Sequence, residues 1–360
     1  MELYNDIALP LAWPDQTAYG DEAWMSLLQK CGIVKDLHFK VGHAAILLIE
    51  RKTGEIRYFD FGRYICPRGY GRARSQDFDP RLRISIRADI DPATGEITNL
   101  LDILQELSGM ETATHGGGRL LFVPVQGISF KKAVDYAENI VRQGPILYGA
   151  LAANNNSCSR YVAQALTHAM DPKDFRIRKI LYPECVKASP TSNIVNASPD
   201  GYIYCYEQRI LSQWKMGRWA SLRFQWNLIR ENLRTKKTPL SSPTDGKHTV
   251  GYLGEPVRPS GLPAKAQWLG GIGEGVWLYA EHNAENMTVS CYSTAGEVLY
   301  QTRAKCPQDF DRDKSYAFTP DFSCKHFTIL QHGNTYVFKQ LDLTGEIEAS
   351  IPPAQYLNNS

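Results

Sequence analysis

Apolar and polar residues alternate along this chain with a period that changes several times. Trp24 to Leu28 opens a short helical pattern, and Val41 to Ile49 is a β-branched and apolar run closed by a Lys52-Thr53-Gly54 turn. Strand character resumes over residues 56–61, Ile-Arg-Tyr-Phe-Asp-Phe, so the two segments predict an antiparallel hairpin. Residues 63–79, rich in Arg, Gly and Asp, read as a functional or covering loop, and Leu82-Arg83-Ile84-Ser85-Ile86 alternates like a further strand.

Helical signals follow. A helix is expected over 98–108 with Thr98 or Asn99 as its cap, then a strand from Arg119 to Val125 after Gly116-Gly117-Gly118. Ser129 caps a helix whose Ala133, Ala137, Ile140 and Val141 form an apolar stripe, and Gly144-Pro145 stops it. A second helix runs from Cys158 to about His168, capped by Asn156 or Ser157, with Val162, Ala165, Leu166 and Ala169 on its apolar face.

Residues 209–237 carry three tryptophans and eight Lys or Arg against the single acid Glu231, a local charge of +7. The segment reads first as a solvated helical face packed by aromatics, with an anionic-partner site or nucleic-acid contact as alternatives. No nucleic-acid motif accompanies it. Residues 239–246 have linker composition, and short Tyr-, Val- and Phe-rich runs beyond them predict a small all-β domain over 247–350 with a tail at 351–360.

Composition narrows the classes. With 360 residues, 43% of them hydrophobic, the chain is long enough for about two domains with an extensive core. Forty basic against 38 acidic residues give a net charge of +2, which excludes a global attraction to nucleic acid or acidic membrane. The eight cysteines are widely spaced, without zinc-knuckle or disulfide-framework patterns, and are expected to be mostly reduced. The first residues lack a basic segment followed by an apolar one, and no apolar run reaches about 18 residues. Cytoplasm is therefore the expected compartment, with no transmembrane segment, no cofactor and no metal site.

Two motifs that superficially suggest ligands are set aside. Asp309, Asp311 and Asp313 lack the central Gly and terminal Glu of a calcium loop. Gly270-Gly271-Ile272-Gly273-Glu274-Gly275 lacks both the phosphate-loop Lys and the full dinucleotide fingerprint, and reads as β-domain turns or close backbone packing.

His43 interrupts its strand where Val, Ile or Leu would be usual. A hydrogen-bonded structural histidine is the plain reading, and a general base is favoured only if a nucleophile and an orienting group exist. Cys158, at the expected start of a helix, is the nucleophile candidate, since free amides and the helix dipole stabilise a thiolate there. Asp60 alternates with Tyr58 and Gly62 on the strand after His43, which makes it the preferred orienter; a turn or Arg-pair role is the alternative. Arg160, in the first turn after Cys158, either recognises a substrate carboxylate or forms a surface ion pair, and Arg63 has the same two readings. Tyr58 completes the expected substrate contacts.

His43 in Val41-Gly42-His43-Ala44, a neighbouring polar strand, and Asn156-Ser157-Cys158-Ser159 much later in the chain together resemble the permuted papain-like cysteine hydrolases, in particular the NlpC/P60-related branch. The resemblance spans about residues 35–185. It implies an α+β fold, with residues 1–238 forming a permuted papain-like domain of helices packed on an antiparallel sheet, extended by the basic segment. It further implies Cys158 as nucleophile, His43 as base, a third polar residue as orienter, and Tyr148 as the aromatic beside the nucleophile. The implied activity is thiol-dependent hydrolysis of an amide bond in a peptide or related small substrate through an acyl-enzyme. A cysteine-dependent acyltransferase, or a catalytically silent binding or scaffold protein using the basic 209–237 segment, are the alternatives.

Overall fold

A computed structural model describes residues 4–19, 38–40, 42–149, 155–234, 254–271, 274–283 and 286–341. The helical pattern at Trp24–Leu28, the linker at 239–246 and the tail at 351–360 lie outside the described residues. The chain divides into two units, residues 1–256 with 270–275, and residues 257–269 with 276–360.

The strands of the first unit are β1 (Asp6–Trp13), β2 (Thr17–Tyr19), β3 (His38–Lys40), β4 (His43–Ile49), β5 (Ile56–Gly62), β6 (Tyr70–Arg74), β7 (Leu120–Phe122), β8 (Val125–Ile128), β9 (Ile146–Leu147), β10 (Tyr202–Glu207) and β11 (Ile210–Lys215). Its helices are α1 (Leu100–Gly109), α2 (Glu111–Thr114), α3 (Phe130–Arg142), α4 (Cys158–Ala169), α5 (Phe175–Leu181), α6 (Pro190–Ala197) and α7 (Arg218–Arg234). Nine strands form one sheet in the order β11-β10-β7-β1-β4-β5-β6-β9, with β8 also paired to β1, while β2 and β3 pair separately. Every pairing in the large sheet is antiparallel.

β1 and β4 sit at the centre in register from Ile7 opposite Ile49 to Trp13 opposite His43. Both are apolar almost without interruption because both faces of the sheet are covered. On one face Leu9, Leu11, Leu47, Ile49 and Tyr58 pack against Ile103, Leu104 and Leu107 of α1. The other face receives α4, whose Tyr161 ring lies 5.9 Å from that of Phe61. Removing each such Leu or Ile from water contributes about 1.5–3 kcal/mol, so the two layers fix the sheet that carries the site.

The expected hairpin is β4–β5, with Ala45 opposite Asp60. Ser129 caps α3 through its side chain, and Ser157 caps α4, accepting from the Arg160 amide. Asn99 occupies the α1 cap position without a capping bond, because its side-chain oxygen accepts from the Asp89 amide instead.

Three expectations change. Leu82–Ile86 is not a strand: Leu82 and Ile84 are buried with strand-like alternation, but the amides of Ser85 and Ile86 donate to the Glu106 carboxylate (2.7 and 3.0 Å) rather than to a neighbouring strand. The strand expected over 119–125 is two short ones, β7 and β8, separated at Val123-Pro124, where proline cannot donate to the ladder. The basic 209–237 segment is not one helix. Gln208 and Arg209 turn the chain with positive φ values of 49° and 65°, Ile210–Lys215 pairs with β10, and only α7 is helical.

The second unit is all-β. It contains β12 (Gln267–Gly270), β13 (Gly275–Asn283), β14 (Asn286–Tyr292) and β15 (Val298–Lys305) in one four-stranded sheet. The strands β16 (Ala317–Phe322), β17 (His326–Gln331) and β18 (Asn334–Lys339) form a three-stranded sheet. Trp277, Phe327 and Phe338 are fully buried in this unit. An α+β domain with helices on a large antiparallel sheet is thus followed by a smaller all-β region, as expected. Among the described residues no helix is long and apolar enough to cross a membrane.

Candidate active site

His43 is the first residue of β4, and the residue before it sets how the strand begins. Gly42 has φ +75°, and a Cβ there would fall 3.1 Å from the Trp13 carbonyl oxygen and 3.2 Å from Pro14 Cα. Glycine alone takes this left-handed, crowded position without strain. The Trp13 ring then stacks on the His43 imidazole, 5.7 Å between centroids and 12° between planes, which restricts the ring's rotation.

Cys158 is the first helical residue of α4. The His43 ring and the Ala44 amide both act on its thiol and favour the thiolate, and the Ser159 hydroxyl lies 3.7 Å away. α4 is thereby anchored across β4 and β5 with its first turn at the start of β4. Two residues far apart in sequence meet because the strand's beginning and the helix's beginning coincide.

Behind His43 lies a fully buried polar cluster. His43 Nε2 is 3.2 Å from the Tyr64 hydroxyl and 3.4 Å from Asp60 Oδ2. Tyr64 donates to Asp60 Oδ2 at 3.0 Å, so toward His43 the same hydroxyl acts as acceptor. Tyr58 donates to Oδ2 at 2.9 Å, and Arg74 donates through Nε to Oδ1 at 3.0 Å and through Nη2 to Oδ2 at 2.6 Å. The Arg74 guanidinium also lies over the Tyr64 ring, 3.3 Å from its centroid, and His115 stacks on Tyr64 at 5.1 Å.

The electrostatics follow from this geometry. Burial alone would raise Asp60, but the charge of Arg74 and the hydrogen bonds from His43 and Arg74 hold its carboxyl well below the usual carboxylate range. Burial alone would lower His43, yet hydrogen bonds to Asp60 and Cys158, with their charges, raise it to about 9. Burial opposes the Cys158 thiolate, while the hydrogen bond and charge of His43, the Ser159 hydroxyl and the Ala44 amide lower the thiol below its ordinary value. Tyr58 and Tyr64 are pushed well above their ordinary value by burial and by the Asp60 charge, so both remain protonated donors.

The remaining expected residues divide. Tyr148 is half-buried, its ring 6.1 Å from Phe61, and a backbone bridge joins it to Asn156, two residues before Cys158. The Arg63 guanidinium lies 4.9 Å over the Tyr148 ring, so these two flank the same segment. Arg160 folds back on its own loop, donating through Nη1 to the Asn155 carbonyl at 2.9 Å. Tyr58, expected at the substrate, is 1% exposed and donates its hydroxyl to Asp60, so it supports the carboxylate.

Sequence reasoning missed Tyr64, Arg74 and Trp13. Tyr64 and Arg74 stand in the Arg-, Gly- and Asp-rich stretch read as a covering loop, which in fact contains β6 with Arg74 directly opposite Asp60. The alternation Arg72-Ala73-Arg74 was the available signal, since a buried strand holding arginine requires a buried acid. Among the described residues no group of three His, Cys, Asp or Glu side chains is arranged to hold a metal ion.

Residues 8–175 match a family model described as type VI secretion system effector TseH-like. That stretch resembles these effectors. Residues 266–341 match a second model, described as the DUF6695 C-terminal domain. The crystal structure of the type VI secretion system effector TseH is 21% identical, with a TM-score of 0.39, covering 58% of this chain and 98% of that one. No curated protein matches. The distant similarity to TseH over residues 8–175 supports a link to the papain-like superfamily.

Proposed function

We propose that this protein is a cysteine-dependent hydrolase that cleaves an amide bond in a peptide or related small substrate through an acyl-enzyme. The observation that carries the proposal is an imidazole held by Asp60 and Tyr64, 3.4 and 3.2 Å from its Nε2, that interacts with Cys158 at the first turn of α4. In this reading Cys158 is the nucleophile, His43 the general base and acid, and Asp60 the orienter with Tyr64 beside it.

The chemistry runs in two halves. The Cys158 thiolate attacks the carbonyl carbon, the C–N bond breaks, and His43 imidazolium gives its proton to the departing amine. Neutral His43 then takes a proton from water, whose oxygen attacks the thioester carbon, and the carboxylic acid leaves as Cys158 recovers its electron pair. The amide of Cys158, at a helix start where backbone donors lack intrahelical acceptors, is the proposed oxyanion donor. Tyr148 and Arg63 form the proposed wall beside the scissile bond. The family description of the similar stretch adds a setting, an effector of a secretion system, to the proposed activity.

Trapping tests this directly. Incubation with a pool of peptides and small amides, followed by mass spectrometry of the intact protein and its peptides, is expected to reveal an acyl group on Cys158. Cys158→Ala, still folded, is expected to carry none. Hydrolysis that persists in Cys158→Ala would exclude the proposal, and an acyl group released to an added amine faster than to water would identify an acyltransferase.

A further inference from the structure

Helix α7 is amphipathic in the wrong direction for a soluble surface. At about 100° per residue, Trp219, Leu222, Arg223, Trp226 and Arg230 fall on one stripe. The stripe faces outward: Trp219 is 83% exposed, Trp226 66% and Leu222 37%, while Ser221 and Leu228 on the opposite side are buried. The sequence-based expectation, charges outward over inward-packed aromatics, is reversed for these two indoles.

A neighbouring segment enlarges the patch. Arg218 Nη2 donates to the Tyr182 carbonyl at 2.6 Å, and the Glu184 carboxylate accepts from the Ser221 hydroxyl and from Gln225. These bonds hold residues 182–186 against the helix, where Cys185 shares a shallow hollow with Trp219, Leu222, Arg223 and Trp226. Tyr182 and Val186, which precede and follow Cys185 in the chain, are 71% and 97% exposed.

We infer that this face docks the protein onto an anionic lipid bilayer. Indoles with a polar edge and an apolar body favour the boundary between headgroups and acyl chains, and arginines on the same stripe favour phosphate. The charge is complementary: α7 carries four arginines against the single Glu231. The aliphatic Leu222 and Val186 decide against nucleic acid, because they offer a base nothing to stack on but are at home among acyl chains. The inference is independent of the chemistry at Cys158.

The test uses the full chain and vesicles of phosphatidylcholine with or without phosphatidylglycerol. Sedimentation is expected with the anionic vesicles, weakened by about tenfold or more in Trp219→Ala/Trp226→Ala. Arg223→Gln is expected to weaken it by about fivefold, and added salt to weaken it further. Lipids brominated in the acyl chain are expected to quench tryptophan fluorescence in the native chain and not in Trp219→Phe/Trp226→Phe. Because both indoles are exposed, thermal unfolding of the variants is expected to match the native chain. Equal sedimentation of native and double-alanine chains would overturn the inference. So would absence of binding to anionic vesicles, preference for a single-stranded oligonucleotide, or self-association abolished by the same double variant.

Discussion

The Tyr64 hydroxyl lies 3.2 Å from Nε2 of His43, nearer than the Asp60 carboxylate at 3.4 Å. Orientation of the imidazole is therefore shared between a phenol and a carboxylate, and the phenol is itself polarised by donating to that carboxylate at 3.0 Å. Tyr64→Phe is expected to retain the fold, losing about 1 kcal/mol for one buried hydrogen bond. It is expected to slow alkylation of Cys158 by about tenfold, well short of the 10²–10⁴-fold loss typical of removing an acid–base group, as in His43→Ala. Equal rates for Tyr64→Phe and the native chain would assign orientation to Asp60 alone.

Arg74 and Asp60 form a buried ion pair with two hydrogen bonds. Asp60→Asn leaves the guanidinium buried without its counter-charge and is expected to cost about 3–5 kcal/mol in chemical denaturation. Because the folded carboxyl is held low, its contribution is present above the unfolded value and is lost as pH falls below it toward the folded one. The native chain is thus expected to lose more stability than Asp60→Asn on acidification from about pH 4, near the unfolded carboxyl's pKa. Parallel acid profiles for the two chains would contradict this.

His43 shifts the other way. With a folded value of about 9 against an ordinary 6.5, its stabilisation is fully present below pH 6.5 and is lost as pH rises through about 9. Turnover is expected to decline over the same alkaline limb, as the proton needed by the leaving group is lost. Cys158 supplies part of the upward shift, so NMR titration of His43 in Cys158→Ala is expected to give a lower value. An unchanged titration would mean that thiol and imidazole do not interact.

Gly42→Ala tests the backbone that aims His43. The new Cβ would fall 3.1 Å from the Trp13 carbonyl oxygen in a residue with φ +75°, a left-handed conformation costing about 1–2 kcal/mol for an L side chain. A lower Tm together with slower Cys158 alkylation is expected. A lower Tm with an unaltered alkylation rate would show that the turn stabilises the sheet without positioning the ring.

The two groups proposed to react are legible in the sequence because each breaks a local rule. A histidine opens an apolar strand, and a cysteine follows a capping serine at a helix start. The β4–β5 hairpin put Asp60 beside them through alternation alone. Arg74 and Tyr64 were hidden, since long-range pairing of β6 with β5 buries polar residues whose composition reads as loop. Leu82–Ile86 shows the converse: alternation reports which side chains are buried, whereas a strand also requires a neighbouring backbone, and here Glu106 takes that place. The two indoles of α7 follow neither rule: they stand exposed, on the stripe proposed to meet a bilayer.

The most direct test is the pH dependence of alkylation at each cysteine, mapped by mass spectrometry on the folded chain. Cys185 and Cys324, reduced thiols partly exposed like Cys158, serve as internal references. The account predicts that Cys158 is modified first, with a midpoint below that of an ordinary thiol, and that His43→Ala removes this advantage. Modification of Cys158 at the rate of the reference cysteines, unaltered by His43→Ala, would contradict it.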